Sequence, residues 1–169
     1  DDVLPEDYFK CVKYTGQTTA DAGTWNSGTS TSTIAVGFQP DLVWMKGRNY
    51  AEHHNVIDSV RGAGKRIQPN RVEVEATSSE QLKSFISTGF TLGTNHEVNN
   101  SSSNFVAWCF RAGGNSNTFN IDGTGYSSYD NLQSANSSLP ASSTSGMITP
   151  SGMSVGVKQG FSIIKYTGT

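Results

Sequence analysis

Apolar residues in this chain fall in short runs whose pattern favours strands over helices. The runs are rich in β-branched and aromatic residues, and clusters of Gly, Asn, Pro and Ser separate them. The pattern predicts strands near 9–14, 32–37, 41–47, 54–60, 71–76, 84–92, 104–111, 146–148 and 160–167. Only 78–82 resembles a helix start, with room for about one turn before Phe85 resumes a strand pattern.

Two runs, 42–45 and 105–110, are apolar at successive positions instead of alternating. Because neighbouring side chains of a strand point to opposite faces, both faces of these two strands should be covered. They are therefore predicted to lie inside a two-sheet sandwich, with Trp44 and Trp108 in its core. By contrast, residues 71–75 alternate strictly, which predicts that Val72 and Val74 point inward.

Composition supports one all-β domain, an antiparallel β-sandwich. The 169 residues are 34% hydrophobic and 15% charged, and the 18 glycines favour turns. From 113 to 160 the chain is mostly Gly, Ser, Asn and Thr, which predicts long surface loops with occasional strands and too little apolar material for a second core.

Charge and hydropathy exclude two classes of partner. The net charge is −2 and no run of Lys or Arg occurs, so binding to nucleic acid is not expected. No apolar stretch approaches the ~18 residues of a membrane span, so membrane insertion is not expected either. Cys11 and Cys109 are too few for a disulfide framework and are expected to be buried free thiols, although a bond between them is left open.

The end of the chain repeats its beginning. Residues 161–169 read FSIIKYTGT and residues 9–17 read FKCVKYTGQ. An unpaired edge strand promotes aggregation, so 161–167 is expected to be paired within this sandwich or with a neighbouring subunit.

Residue patterns for catalysis or metal binding are weak. His53 and His54 are strand neighbours that point to opposite faces, and His96 lies in a polar loop, so no metal site is predicted. Glu73 and Glu75 share a strand face, as a glycosidase carboxylate pair can, but Glu-Val-Glu-Ala-Thr-Ser lacks the Asp and final Glu of the glucanase motif. No catalytic residue is predicted, and Asp58 with Arg61 is expected to hold a loop.

Ligand binding is predicted from loop residues instead. Exposed aromatic rings with nearby carboxylates can stack on sugars, and the candidates are Trp25, Tyr126, Tyr129 and Asp130. Packing of these rings over the sandwich edge is the alternative. No cofactor is predicted, although calcium stays open because 120–123 and 129–131 offer oxygen ligands.

Six blocks of sequence together resemble a known family. They are FKCVKYTG (9–16), VGFQPDLVWMKGR (36–48), HNVIDSVRG (54–62), FISTGFTLG (85–93), FVAWCFRAGG (105–114) and GFSIIKYTGT (160–169). In this order they resemble a domain of unknown function in virion proteins of tailed bacteriophages, of tail-fibre or head-fibre type. The resemblance covers roughly 8–115 and the last ten residues, and it implies a concanavalin-A-like or laminin-G-like jelly roll.

The resemblance also implies an organisation and a function. Residues 1–8 would be an N-terminal extension, 9–160 the sandwich module, and 161–169 its last strand or the first strand of a following module. The implied role is a non-enzymatic structural or interaction module at a fibre, tail or capsid surface of the virion, with binding of host-surface polysaccharide as a possible addition. The alternatives are a capsid decoration protein and a carbohydrate-active enzyme. The implied partners are other virion proteins and further copies of the chain.

Overall fold

The computed structural model describes residues 4–17, 31–115 and 117–168. Within these ranges a 3₁₀ turn spans Pro5–Asp7, and two short helices follow later in the chain, α1 (His96–Asn99) and α2 (Tyr129–Ala135). The strands are β1 (Phe9–Thr15), β2 (Ser32–Ala35), β3 (Leu42–Gly47), β4 (Asn55–Asp58), β5 (Lys65–Ile67), β6 (Ala76–Thr77), β7 (Leu82–Ile86), β8 (Gly89–Leu92), β9 (Asn104–Phe110), β10 (Phe119–Ile121), β11 (Thr124–Tyr126), β12 (Gly152–Gly156) and β13 (Phe161–Lys165).

The strands form three sheets, and the predicted all-β antiparallel sandwich is confirmed. The largest sheet has the order β1-β9-β3-β4-β5-β6, a second has β2-β8-β7, and a third has β11-β10-β12-β13. Every pairing is antiparallel except that of β10 with β12. No helix in the described ranges is long and apolar enough to cross a membrane.

The main core lies between the six-stranded and three-stranded sheets. Alternate side chains of β3 and β9 point into it, and side chains of β4, β7, β8 and α1 meet them there. Its buried members are Val36, Phe38, Val43, Met45, Ile57, Leu82, Phe90, Leu92, Val98, Ala107 and Cys109. Both β3 and β9 therefore lie between other strands of the sheet, as their apolar runs predicted.

The prediction that Trp44 and Trp108 lie in this core is wrong. Trp44 is 37% exposed and Trp108 is half-buried, because both point to the outer face of the six-stranded sheet. Met45 and Ala107, their strand neighbours, fill the inner face and are fully buried. The runs are apolar at every position because both faces of these strands carry apolar side chains, but only the inner face is covered by a second sheet.

A second hydrophobic cluster lies between α2 and the four-stranded sheet, where sequence composition predicted loops without a core. Its buried members are Phe119, Tyr129, Leu132 and Met153. The helix begins after Ser128, whose hydroxyl accepts a hydrogen bond of 3.2 Å from the backbone N–H of Asn131. The strand predicted at 146–148 is absent, because Thr144 and Met147 form successive turns there, while β12 lies a few residues later.

The predicted strand at 71–76 is also wrong, and so is the inward orientation of its valines. Only Ala76–Thr77 forms a strand, and Val72 and Val74 are 101% and 88% exposed. The chain turns after β5, where the N–H of Arg71 donates to the carbonyl of Gln68, and no strand in the described part of the chain lies opposite 72–75. Nor does 78–82 begin a helix, because β7 starts at Leu82.

Asp41 joins the first sheet to the segment that leads into the second cluster. Its buried carboxylate accepts hydrogen bonds of 2.7 Å from the N–H groups of both Ala112 and Gly114, and one of 3.0 Å from the Ser59 hydroxyl. Burial raises the pKa of Asp41, while these donors act in the opposite direction. The contacts fix the path of the chain directly after β9.

The terminal repeat occupies two edges. β1 pairs with β9 at one edge of the six-stranded sheet, and β13 pairs with β12 at an edge of the four-stranded sheet. Residues 161–165 are thus hydrogen-bonded within this chain. That the repeat opens a following module stays a prediction.

Candidate interaction surface

The outer face of the six-stranded sheet carries a continuous set of aromatic rings. Register places Trp44 directly opposite Trp108, and Phe9 directly opposite Phe110, so that these side chains share one face across β1, β9 and β3. Phe161 at the start of β13 adds a ring from the neighbouring sheet. We call the set Phe9, Trp44, Trp108, Phe110 and Phe161, with His54 at its edge, the aromatic face.

Ring-to-ring contacts hold the aromatic face together. Phe110 lies between Phe9 and Phe161, with ring centroids 4.8 Å and 5.3 Å away respectively. The Trp44 and Trp108 rings meet edge to face at 6.0 Å. These distances are within the range of favourable aromatic pairs, so each ring is held in place by its neighbours. Phe9 nevertheless keeps 42% of its surface exposed, and Trp44 keeps 37%.

Two adjoining hollows shape the surface, and Phe110 lines both. One hollow of about 240 Å³ is lined by Trp44, His54, Trp108 and Phe110. The other, of about 550 Å³, separates the start of β1 from the hairpin between β12 and β13, and it is lined by Pro5, Tyr8, Phe9, Phe110, Lys158, Gln159, Gly160 and Phe161. The aromatic face is therefore partly concave and largely apolar.

His54 fixes the orientation of Trp44. The indole Nε1–H of Trp44 donates to Nδ1 of His54 at 2.9 Å, which requires an unprotonated Nδ1. Burial lowers the pKa of His54, and the charges of Lys46 and His53 lower it further. The imidazole is thus neutral near pH 7, and its Nδ1 accepts the hydrogen bond that the Trp44 indole N–H donates. His53 bonds Asn70 separately, at 2.9 Å.

A buried polar cluster lies on the inner side of the same sheet, next to β4 and β5. The carboxylate of Glu97, 1% exposed, is paired with Arg66 and accepts a 2.7 Å hydrogen bond from Gln81. Asn55 Oδ1 accepts from both Gln81 and Gln68 at 3.2 Å. No local spacing in the sequence indicates this cluster, because Asn55, Arg66 and Glu97 come from β4, β5 and α1, whereas Gln68 follows β5 and Gln81 precedes β7.

The sugar-site residues predicted from sequence are placed differently from expectation. Trp25 lies outside the described residues. Tyr129 is 5% exposed and donates its hydroxyl hydrogen to the carbonyl of Pro140 at 2.8 Å, so its ring is covered by the second cluster. Tyr126 packs against the same cluster, and Asp130 is exposed on α2. The two tyrosines are brought together, but as packing residues.

The oxygen ligands considered for calcium also have structural bonds. Asn120 Oδ1 accepts from the hydroxyl of Ser154 at 2.9 Å, and Asp122 Oδ1 accepts from the N–H of Val157 at 3.0 Å. In the parts of the chain that the structure describes, no group of three or more His, Cys, Asp or Glu is arranged to hold a metal ion. Calcium binding stays a prediction.

Asp58 and Arg61 hold a loop, as predicted. The Arg61 N–H donates to Asp58 at 2.8 Å, and the guanidinium bridges Asp58, the Val56 carbonyl at 3.0 Å and Glu75 at 3.3 Å. Glu73 pairs with Arg71, whose hydrogen bond lowers the pKa of Glu73. Both glutamates of the suspected glycosidase pair thus form salt bridges with arginine or lysine side chains.

The two cysteines are free and lie on opposite faces of the six-stranded sheet. Cys11 is exposed on the outer face, where register places it opposite Trp108. Cys109 is buried in the main core, and burial raises its pKa to about 12. The expectation of free thiols is confirmed, but Cys11 is not buried.

Of three comparisons with known proteins, one gives a match. A search of curated proteins found no match, and a search of solved structures found none either. A family model for a domain of unknown function, DUF7483, matches residues 4–138, which is more than half of the chain and includes four of the five rings of the aromatic face. The chain therefore belongs to the DUF7483 family.

Proposed function

We propose that this chain is a non-enzymatic interaction module of a tailed-bacteriophage virion, and that it attaches to another virion protein through the aromatic face. The observation that carries the proposal is the exposure of Phe9 and Trp44, 42% and 37%, in one contiguous set of rings. Large contiguous apolar patches on a protein surface mark sites of contact with other macromolecules. Aromatic residues also dominate the binding energy of protein interfaces.

The chemistry of the hollows favours a protein partner over a sugar. The smaller hollow is lined only by rings, those of Trp44, His54, Trp108 and Phe110. The Trp44 indole N–H is already bonded to His54, and the accessible lining of the hollow is apolar. A sugar needs donors and acceptors for its hydroxyls beside the stacking ring. An apolar side chain of a partner protein needs only the concave surface.

The carboxylates argue against the enzyme alternative. Glu73 is bound to Arg71, and Glu75 is bound to Arg61 and Lys65. A glycosidase acid needs a raised pKa, whereas Arg71 lowers the pKa of Glu73. A binding role fits these residues better than hydrolysis does.

The virion context comes from the resemblance of six ordered sequence blocks to tailed-phage proteins. A fibre or tail module and a capsid decoration protein both fit an apolar docking face, and they differ in location. Decoration predicts stoichiometric copies on purified heads. A fibre or tail module predicts few copies at the tail, or at discrete fibres on the head, and antibodies against the domain that block adsorption.

Incorporation of variants into particles tests the proposal. Phe9→Ser and Trp44→Ser should each reduce the amount of this chain in purified particles, measured by quantitative mass spectrometry. Val157→Ser is the matched control, because Val157 is an exposed apolar residue (60%) outside the aromatic face. Each purified variant should keep a cooperative thermal transition. Normal incorporation of both aromatic-face variants would refute the proposal.

A glycan array distinguishes the sugar alternative. The proposal predicts that the isolated domain gives no signal that depends on Trp44. Saturable binding that Asp130→Asn abolishes and Trp44→Ser leaves intact would instead assign the function to the loop residues predicted from sequence.

A further inference from the structure

Residues 71–75 have a strand sequence but no strand partner among the described residues. Valine and charged residues alternate strictly there, as in a half-buried strand. Yet Val72 and Val74 are 101% and 88% exposed, and the backbone groups of 72–74 make no hydrogen bond with the backbone of any described residue. We call this segment the valine arm. Backbone groups that belong to no strand ladder, beside exposed β-branched side chains, form a template for another strand.

We propose that the valine arm pairs with the valine arm of a second copy of this chain, forming an antiparallel ribbon centred on Glu73. In this register Val72 lies opposite Val74 of the second copy, and Arg71 lies opposite Glu75. Each contact occurs twice, because a two-fold interface repeats it.

Charge complementarity within the arm argues for a second copy as its occupant. Arg71 and Glu75 carry opposite charges at the two ends of the same face, so antiparallel pairing brings each arginine to a glutamate. The opposite face carries only the two valines, which match each other. One position opposes pairing, because Glu73 would lie opposite its own copy. The bond from Arg71 to Glu73 within each chain offsets part of that repulsion.

The register is set by the alternation. A shift of one residue would place each valine opposite a charged residue. Centring on Val72 would keep one Val–Val contact but place Val74 opposite Asn70. Centring on Glu73 is the register that gives two Val–Val contacts.

The arm is held at its ends, which lowers the entropic cost of pairing. Asn70 accepts from the His54 N–H at 3.1 Å, and Glu75 is bound to Arg61 at 3.3 Å and to Lys65 at 4.0 Å. Between these ends, the side chains of Val72 and Val74 remain exposed. A preorganised segment loses less conformational freedom when it binds.

Disulfide trapping tests the pairing and its register. Directly opposite residues of an antiparallel pair have Cα atoms about 4.5–5.5 Å apart, within the range that a disulfide spans. In a Cys11→Ser background, which leaves only the buried Cys109, Glu73→Cys should form covalent dimers. A mixture of Arg71→Cys and Glu75→Cys should give mixed dimers in preference to either self-dimer. Ser87→Cys, exposed in the turn between β7 and β8, is the control.

The expected yield at position 73 is about tenfold above that of the Ser87→Cys control at equal protein concentration. Adding Val72→Thr and Val74→Thr should return the yield to the control level without changing the melting temperature, because both valines are exposed. In the native sequence, Glu73→Gln should strengthen association in sedimentation equilibrium, since it removes the like charges at the centre.

Three results would overturn the proposal. They are equal trapping at 73 and 87, equal yields of mixed and self-dimers from the 71 and 75 variants, and trapping that is insensitive to the valine substitutions. The pairing does not depend on the aromatic face, so Trp44→Ser should leave the trapping yield unchanged.

Discussion

Alkylation of the two cysteines tests which face of the six-stranded sheet is open. Pairing of β1 with β9 places Cys11 opposite Trp108 on the outer face, and Lys10 opposite Cys109 on the inner face. Because the side-chain period of a strand is two, a register slip of one residue would exchange the faces. Reactivity of the thiols therefore reports the placement of the aromatic face.

The expected difference in rate follows from burial and ionisation. Only the thiolate reacts, and with its pKa raised to about 12 Cys109 is ionised in about one molecule in 10,000 at pH 8. An exposed thiol with a pKa of about 8.5 is about one-quarter ionised at that pH. Ionisation alone slows Cys109 by about 2,500-fold relative to such a thiol, and its complete burial slows it further.

The assay is a time course of iodoacetamide at pH 8, followed by intact mass and peptide mapping. The native protein should take up one adduct, at Cys11, and a second only after unfolding in urea. Cys11→Ser should take up none while folded. Two adducts at similar rates in the native protein, or earlier labelling of Cys109, would refute the assignment of faces. Labelling of Cys11 can then report whether a partner covers the aromatic face.

Three further predictions concern the polar contacts. Arg66→Met should lower the free energy of unfolding in urea by about 3–5 kcal/mol, because it leaves the Glu97 carboxylate buried without its cation; a loss below about 1 kcal/mol would indicate a solvated pair. Folding lowers the pKa of His54, so the unfolded chain binds this proton more readily. The stability contributed by neutral His54 is therefore complete above pH 6.5 and is lost as pH falls below that value. The fluorescence of Trp44 should change over the same pH range. It should not change in His54→Gln. A pH-independent signal in the native sequence would contradict the hydrogen bond between the two rings. Asp41→Asn should cost about 1–3 kcal/mol in urea unfolding, because the amide keeps one neutral oxygen for the two backbone N–H groups in place of a charged acceptor, and its NH₂ replaces the oxygen that accepts from Ser59; unchanged stability would contradict that role.

The strands of the main core could be predicted because their sequence and burial agree. β1, β3 and β9 lie where apolar runs between turn residues placed them. The same runs could not show which face is covered, because Trp44 and Met45 are equally apolar but point to opposite sides. Apolar pattern identifies a strand, whereas the covering layer depends on the rest of the fold.

The remaining elements could not be predicted for two physical reasons. The helix α2 spans only seven residues and buries just Tyr129 and Leu132, which is too few apolar positions to show a helical period. The partners of Glu97 are 16 and 31 residues away, at Gln81 and Arg66, so no local spacing reveals them. The strand predicted at 71–76 failed for a different reason, because its residues alternate as in a strand but no strand in the described ranges pairs with 72–75.

Hydroxyl-radical footprinting of the isolated domain and of intact particles tests whether the aromatic face is the attachment surface. We expect oxidation of Phe9 and Trp44 to fall strongly in the particle, while Tyr166, 62% exposed outside the aromatic face, remains reactive. Equal oxidation of Phe9 and Trp44 in both samples would show that the aromatic face stays open to water in the particle and would contradict its role as the attachment surface.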